Sequence, residues 1–283
     1  MPPRTLVAFA SAGRSCPLTS SNNLPPVKAV SSLLPQGTLR TIDRVRTRRF
    51  LSRVSGPTVE YVRRYGLEVR QGPFRGMRYL EGLEPSSGDL VAKLAGTYER
   101  ELHAVVADWV SANHLHIIDV GCAEGYYAVG FAYAMTDTTV HAFDIDPVAR
   151  ARCGALSQLN GVETRLRIRG SCEPSALSAF PERGVALLSD CEGYERILLD
   201  PVAAPRLQGW PILVELHDFI DSAITETICA RFGDSHEIGL IEGEGRKEQE
   251  RLPELAFMSA RQRAAVLGER RPGPMRWAYL RPR

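Results

Sequence analysis

Ile117-Ile118-Asp119-Val120-Gly121-Cys122-Ala123-Glu124-Gly125-Tyr126-Tyr127 is the stretch that decides the fold. An apolar run ends beside an acid, as a strand buried on both faces does. A glycine-bearing turn follows, and a helix starts near Tyr126. Gly121 lets the backbone pass close to a ligand without a Cβ in the way. Asp119 and Glu124 place two carboxylates beside that turn. A second apolar run, Val140-His141-Ala142-Phe143, ends at Asp144, 19 residues after Gly125 and so one helix and one strand away. In open α/β sheets, ligands bind outside the carboxyl ends of the strands where the order switches, and an acid there can hold both hydroxyls of a ribose.

Outward from this unit, apolar runs alternate with helical segments. Strands are expected at His116–Val120, Val140–Phe143, Thr164–Arg169, Val185–Ser189, Ile212–Leu216, Ile238–Ile241 and Met275–Leu280. That alternation predicts an α/β fold with a doubly wound, mostly parallel seven-stranded sheet covered on both faces, over residues 97–283. From Glu99, the spacing of Leu102, Val105, Val106, Trp109 and Val110 predicts a core-facing helix with Thr97 as its N-cap. Residues 41–96 form an N-terminal extension, with a helix through Arg40–Arg64 and a hairpin at Leu67–Leu80 around Gln71-Gly72-Pro73. Residues 1–40, rich in Pro and Ser and free of acids, are expected to be a flexible basic leader; a targeting segment is the other reading of that composition.

Charge separates the leader from the body. Residues 1–64 carry 11 Lys and Arg against Asp43 and Glu60, while the remainder carries 24 against 31. A nucleic-acid enzyme more usually carries positive charge on its folded surface. The longest apolar run, Tyr126 to Met135, is too short for the ~20 residues of a membrane helix. Six scattered cysteines without a Cys-x-x-Cys pair suit free thiols in the cytoplasm.

The central motif has the plan of a dinucleotide fingerprint but not its Gly-x-Gly-x-x-Gly spelling, since Ala123 holds the second glycine position. Glu124 beside a diphosphate would be repulsive; beside the amino and sulfonium end of S-adenosylmethionine (SAM) it would be attractive. The motif resembles the first motif of class I SAM-dependent methyltransferases, with Asp144 matching the ribose-binding acid. The resemblance extends over about residues 95–220 to the FkbM-type branch, through Gly96-Thr97-Tyr98-Glu99, Asp190-Cys191-Glu192-Gly193-Tyr194-Glu195 and Glu215-Leu216-His217-Asp218. It implies SAM as cofactor and O-methylation of a small-molecule acceptor such as a natural product or sugar. It also implies a cofactor site of Tyr98, Asp119, Gly121, Cys122, Ala123, Glu124, Gly125, Asp144, Ser171, Cys172 and Asp190.

The ends of the fourth and fifth strands would face the methyl group, which places Asp190, Glu192, His217 and Asp218 at the chemistry. His217 is the natural general base, its ordinary pKa being close to neutral. Asp190 with Glu192 offers a second route through a divalent ion, and oxygen ligands would favour Mg²⁺ or Ca²⁺. The alternatives are an RNA methyltransferase using the basic arm, a SAM-binding protein without catalysis, and an NAD-dependent oxidoreductase.

Overall fold

The computed structural model describes residues 55–81, 89–243, 251–268 and 275–283. The expected leader and most of the expected Arg40–Arg64 helix lie outside them. The helices are α1 (residues 55–65), α2 (Leu90–Ala95), α3 (His103–Ala112), α4 (Tyr126–Ala134), α5 (Pro147–Leu159), α6 (Pro174–Leu177), α7 (Glu195–Leu198), α8 (Ile224–Phe232) and α9 (Ala260–Leu267). The strands are β1 (His116–Val120), β2 (Thr139–Phe143), β3 (Leu166–Arg169), β4 (Val185–Ser189), β5 (Ile212–Glu215), β6 (His236–Glu242) and β7 (Arg276–Pro282).

All seven expected strands form one sheet in the order β3-β2-β1-β4-β5-β7-β6. The first five are parallel, whereas β7 runs antiparallel to both β5 and β6. This is a doubly wound, mostly parallel α/β sheet with one reversed strand inserted beside its edge. Alternation along each strand feeds two cores. Ile117, Ala186, Leu188, Leu213, Trp277 and Tyr279 point to one face, against α1 to α5 and α9. Ile118, Val120, Leu187, Ile212, Val214 and Leu280 point to the other, against α6, α7 and α8. Burying strands on both sides is what makes their sequences read as continuous apolar runs.

The N-terminal extension belongs to the first core. Tyr61, Val69, Phe74, Met77 and the whole of α2 are buried there, and Phe74 meets Tyr126, Tyr127 and Phe131 edge-on. The expected hairpin is reduced to a single bridge, Glu68 to Arg78, around a turn at residues 71–76. Gln71 is occupied otherwise, because its carbonyl lies against Gly96, where a Cβ would be 1.9 Å away.

The start of α3 also departs from expectation. Glu99 takes a left-handed conformation (φ 45°), a 3-10 turn spans Arg100–Leu102, and the α-helix begins at His103. Thr97 does not cap α3; its hydroxyl donates to the Ala92 carbonyl at the end of α2. Glu99, buried, accepts from the Tyr127 hydroxyl instead of lying in a solvated first turn. Cys122, Cys153, Cys172 and Cys191 are free thiols, but Cys229 is disulfide-bonded, so the expectation of free thiols fails at that position.

Candidate functional site

Parallel strands put their carboxyl ends on one edge, and β1 lies between β2 and β4, so the chain order reverses there. A cleft of about 480 Å³ opens at this switch point, as the topology requires. Gly121, Ala123, Asp144, Ser171, Cys172, Asp190 and Glu192 line it, together with Ile145, Glu173 and Tyr194.

The loop after β1 is held tightly. Gly121 has φ +91°, and a Cβ on it would lie 1.7 Å from the Asp190 carbonyl oxygen. Only glycine allows the β1 and β4 turns to approach so closely. Ala123 also has a positive φ (47°), and its N–H donates to Asp144 Oδ2 at 2.9 Å. Asp144 Oδ1 accepts from the Asp146 N–H at 2.8 Å, so each oxygen keeps a lone pair for a ligand hydroxyl. Asp146 in turn caps α5 by accepting from Val148 N–H.

Asp119 lies beneath this loop, 1% exposed, with Oδ2 buried and without a hydrogen-bond partner among the described residues. Burial, reinforced by the charges of Asp190 and Asp144, pushes its pKa up to about 8. The thiols are protonated: burial raises Cys172 to about 12, and a hydrogen bond with Cys153, then burial, raises Cys122. Neither is a nucleophile.

Glu124 does not face the cleft. Its carboxylate binds the Lys93 ammonium, which also pairs with Asp89 at 3.0 Å and lies over the Tyr98 ring at 4.6 Å. Burial opposes the charge on Lys93, but these two acids hold its pKa above the usual lysine value. The expected repulsion of a diphosphate by Glu124 and its expected attraction for the cationic end of SAM both lose their basis, because the acid is neutralised internally. Lys93, missed in the sequence, is a lysine on the inward face of a short helix, and only the fold brings it to Glu124. Tyr98 does not line the cleft either; it packs edge-on against Tyr126.

Behind the cleft-lining Asp190 and Glu192, the turn after β5 places His217, 1% exposed and not itself part of the lining. Nδ1 bonds Glu195 Oε1 at 2.6 Å, while Nε2 faces Asp190 Oδ1 at 3.5 Å and Glu192 Oε2 and Glu215 Oε2 at 3.6 Å. Burial alone would lower the histidine pKa, but the Glu195 hydrogen bond and charge, helped by Asp190 and Glu192, raise it instead. Glu195 experiences the same pair in reverse: burial would raise it, yet His217 holds it below the ordinary value. Glu195 and Glu215 were not among the expected site residues, although both flank them in sequence. Asp218 is turned away, accepting from the Thr225 hydroxyl and N–H at the start of α8 and from Arg276 at 2.8 Å. It anchors α8 to β7 and does not reach the cleft, because every hydrogen bond it makes points to that helix and strand.

No family model matches the chain, and no curated protein matches it. Solved structures align with parts of the chain at TM-scores below 0.5. The O-methyltransferase TomG from Streptomyces achromogenes, involved in tomaymycin synthesis and solved with SAM, is 14% identical, with 61% of this chain and 75% of that one covered and a TM-score of 0.39. A SAM-dependent methyltransferase from Geobacter sulfurreducens, solved with S-adenosyl-L-homocysteine, is 13% identical over 62% and 91% of the two chains, with a TM-score of 0.37. Precorrin 8W decarboxylase from Methanobacterium thermoautotrophicum is 18% identical over 59% and 82%, with a TM-score of 0.41.

The chain's own residues fit SAM. The half-buried Asp144 suits the ribose, Ile145 and the segment Gly170–Cys172 give the cleft an apolar wall, and the orphaned Asp119 oxygen lies below the glycine turn.

Proposed function

We propose that this chain is a SAM-dependent methyltransferase acting on a hydroxyl of a small-molecule acceptor. The observation that carries the reading is the cleft at the β1/β4 switch point, lined by Asp144 and by Asp190 and Glu192, which face the buried His217 behind them. The insertion of antiparallel β7 between β5 and β6 separates this sheet from the dinucleotide-binding order, in which six strands follow 3-2-1-4-5-6.

When bound, SAM supplies a methyl group on a cationic sulfur, and transfer leaves a methyl ether, neutral S-adenosylhomocysteine and the acceptor's proton. Asp144 would hold the ribose hydroxyls, and the Gly121–Ala123 backbone would border the amino acid end. Ser171 and Cys172 would flank the adenine. What these residues add is alignment, since a sulfonium needs little electrophilic help. Proton removal falls to the cluster around His217, whose imidazole is oriented by Glu195.

The Asp190–Glu195 element supports the FkbM-type branch by its position, because it supplies Asp190, Glu192 and Glu195 to one site. A small acceptor agrees with the net negative body. Among the described residues, no helix is long and apolar enough to cross a membrane.

Calorimetric titration tests the reading. SAM and S-adenosylhomocysteine should bind and NAD should not, and Asp144→Ala should weaken SAM by about 1–3 kcal/mol, the cost of leaving polar groups unpaired. Tight NAD binding without SAM binding would refute it.

A further inference from the structure

His217 is 1% exposed, and its Nε2 is aimed at three carboxylate oxygens, Asp190 Oδ1 at 3.5 Å and Glu192 Oε2 and Glu215 Oε2 at 3.6 Å. In the neutral ring, an Nδ1–H donated to Glu195 at 2.6 Å leaves the lone pair on Nε2. This is the arrangement of a metal-ligating histidine, whose second nitrogen is held by a carboxylate behind it. The donor atoms Asp190 Oδ1, Glu192 Oε2 and His217 Nε2 come from the turns after β4 and β5.

We infer that Asp190, Glu192 and His217 form a binding site for one divalent first-row transition-metal cation, for which Mn²⁺ is the probe. Ligand atoms of these three residues lie within 4.8 Å of one another. Adjacent donors on one cation, each about 2.1–2.3 Å from it, are separated by roughly 3.0–3.7 Å. The nitrogen-to-oxygen separations of 3.5 and 3.6 Å already fall in that range. Closing the remaining gap asks for a swing of Glu192 only, whose side chain is 78% exposed and free to move. Its neighbours Asp190 and His217 stay fixed by the strands that carry them.

The choice of cation follows from the donors. Two carboxylates alone would suit Mg²⁺, Ca²⁺ or Mn²⁺, but an imidazole nitrogen moves the preference away from Mg²⁺ and Ca²⁺ toward the first-row transition metals. Charge points the same way. Asp190, Glu192, Glu195 and Glu215 crowd one imidazole, which carries at most a single positive charge. A divalent ion in front of Nε2 balances the group better than a proton does. Glu195 would then be a positioning residue, fixing the ring and raising its basicity. The catalytic use of the ion, though not its presence, rests on the methyl-transfer reading: it would lower the acceptor's pKa, and His217 would act as ligand and not as base.

The experiment is Mn²⁺ binding to the chelator-treated full chain, followed by loss of the free Mn²⁺ electron paramagnetic resonance signal. One Mn²⁺ per chain is expected. Glu192→Gln, a change on the surface that leaves the fold intact, should weaken binding at least 10-fold. Asp190→Asn and His217→Gln should weaken it further, and Glu195→Gln by about 10–100-fold. Mg²⁺ should compete poorly. No uptake at millimolar Mn²⁺, or uptake that Glu192→Gln and His217→Gln leave unchanged, overturns the site. SAM titration of the same sample is read separately, so a chain that binds Mn²⁺ but not SAM refutes the proposed function and not the cation site.

Discussion

Gly121→Ala should damage both fold and cofactor site, by an amount the structure sets. The new Cβ would lie 1.7 Å from the Asp190 carbonyl oxygen and 2.6 Å from its carbon. Real contacts almost never fall below 3.0 Å, so the two turns must part by at least ~1.3 Å. The obstacle is backbone and has no rotamer to give. Alanine at positive φ costs about 1–2 kcal/mol, and overpacking adds about 1–3 kcal/mol. The sum, about 2–5 kcal/mol, is a large part of a typical domain's stability. A turn displaced by an ångström should also cost on the order of 100-fold in turnover. Gly161→Ala is the control: φ is +66°, but nothing lies within 4 Å of the new Cβ, so it should lose only the strain. Urea unfolding followed by circular dichroism, and SAM titration, measure both effects. If Gly121→Ala is no worse than Gly161→Ala on either measure, the close approach of the β1 and β4 turns does not matter as argued.

Two further outcomes follow from buried charge. Asp119, near pKa 8 when folded and 3.8 when unfolded, penalises the folded state as pH rises through that window, by about 1.4 kcal/mol per unit. Asp119→Asn should therefore gain on the wild type by a few kcal/mol between pH 4.5 and 8; a constant difference in melting across that range would show that Asp119 ionises normally. Lys93→Met removes the cation between Asp89 and Glu124 and should cost about 3–5 kcal/mol, with part recovered by adding Glu124→Gln. A loss under 1 kcal/mol would mean the triad is hydrated.

The central strands β1, β4 and β5 were legible because burial on both faces makes them nearly unbroken apolar runs, and the half-buried β3 and β6 also fall near their expected places. The cleft residues after β1, β2, β3 and β4 were legible too, since loop position follows from strand position. Side-chain direction was not. Glu124 and Asp218 are each one residue from a true site position, yet Lys93 and Arg276, distant in sequence, turn them elsewhere. Glu195 was hidden for the opposite reason: an acid in a helical first turn reads as a solvated dipole partner until His217 is placed against it. The start of α3 failed because Glu99 leaves helical geometry to meet Tyr127, a contact no local pattern encodes.

The place of β7 in the sheet bears on how the chain is made. It is made after β6, yet it fills the gap between β5 and β6. Until residues 276–282 leave the ribosome, β5 presents an open edge and β6 has no neighbour to join. At about 5–20 residues per second, that interval lasts seconds. During it, the nascent chain displays an unpaired apolar strand, the template on which other chains pair and aggregate. The β5 end next to His217 is thus completed after the Asp144 side, and a ribosome paused before residue 276 would hold chains able to form the Asp144 side of the cleft but prone to stick through the other.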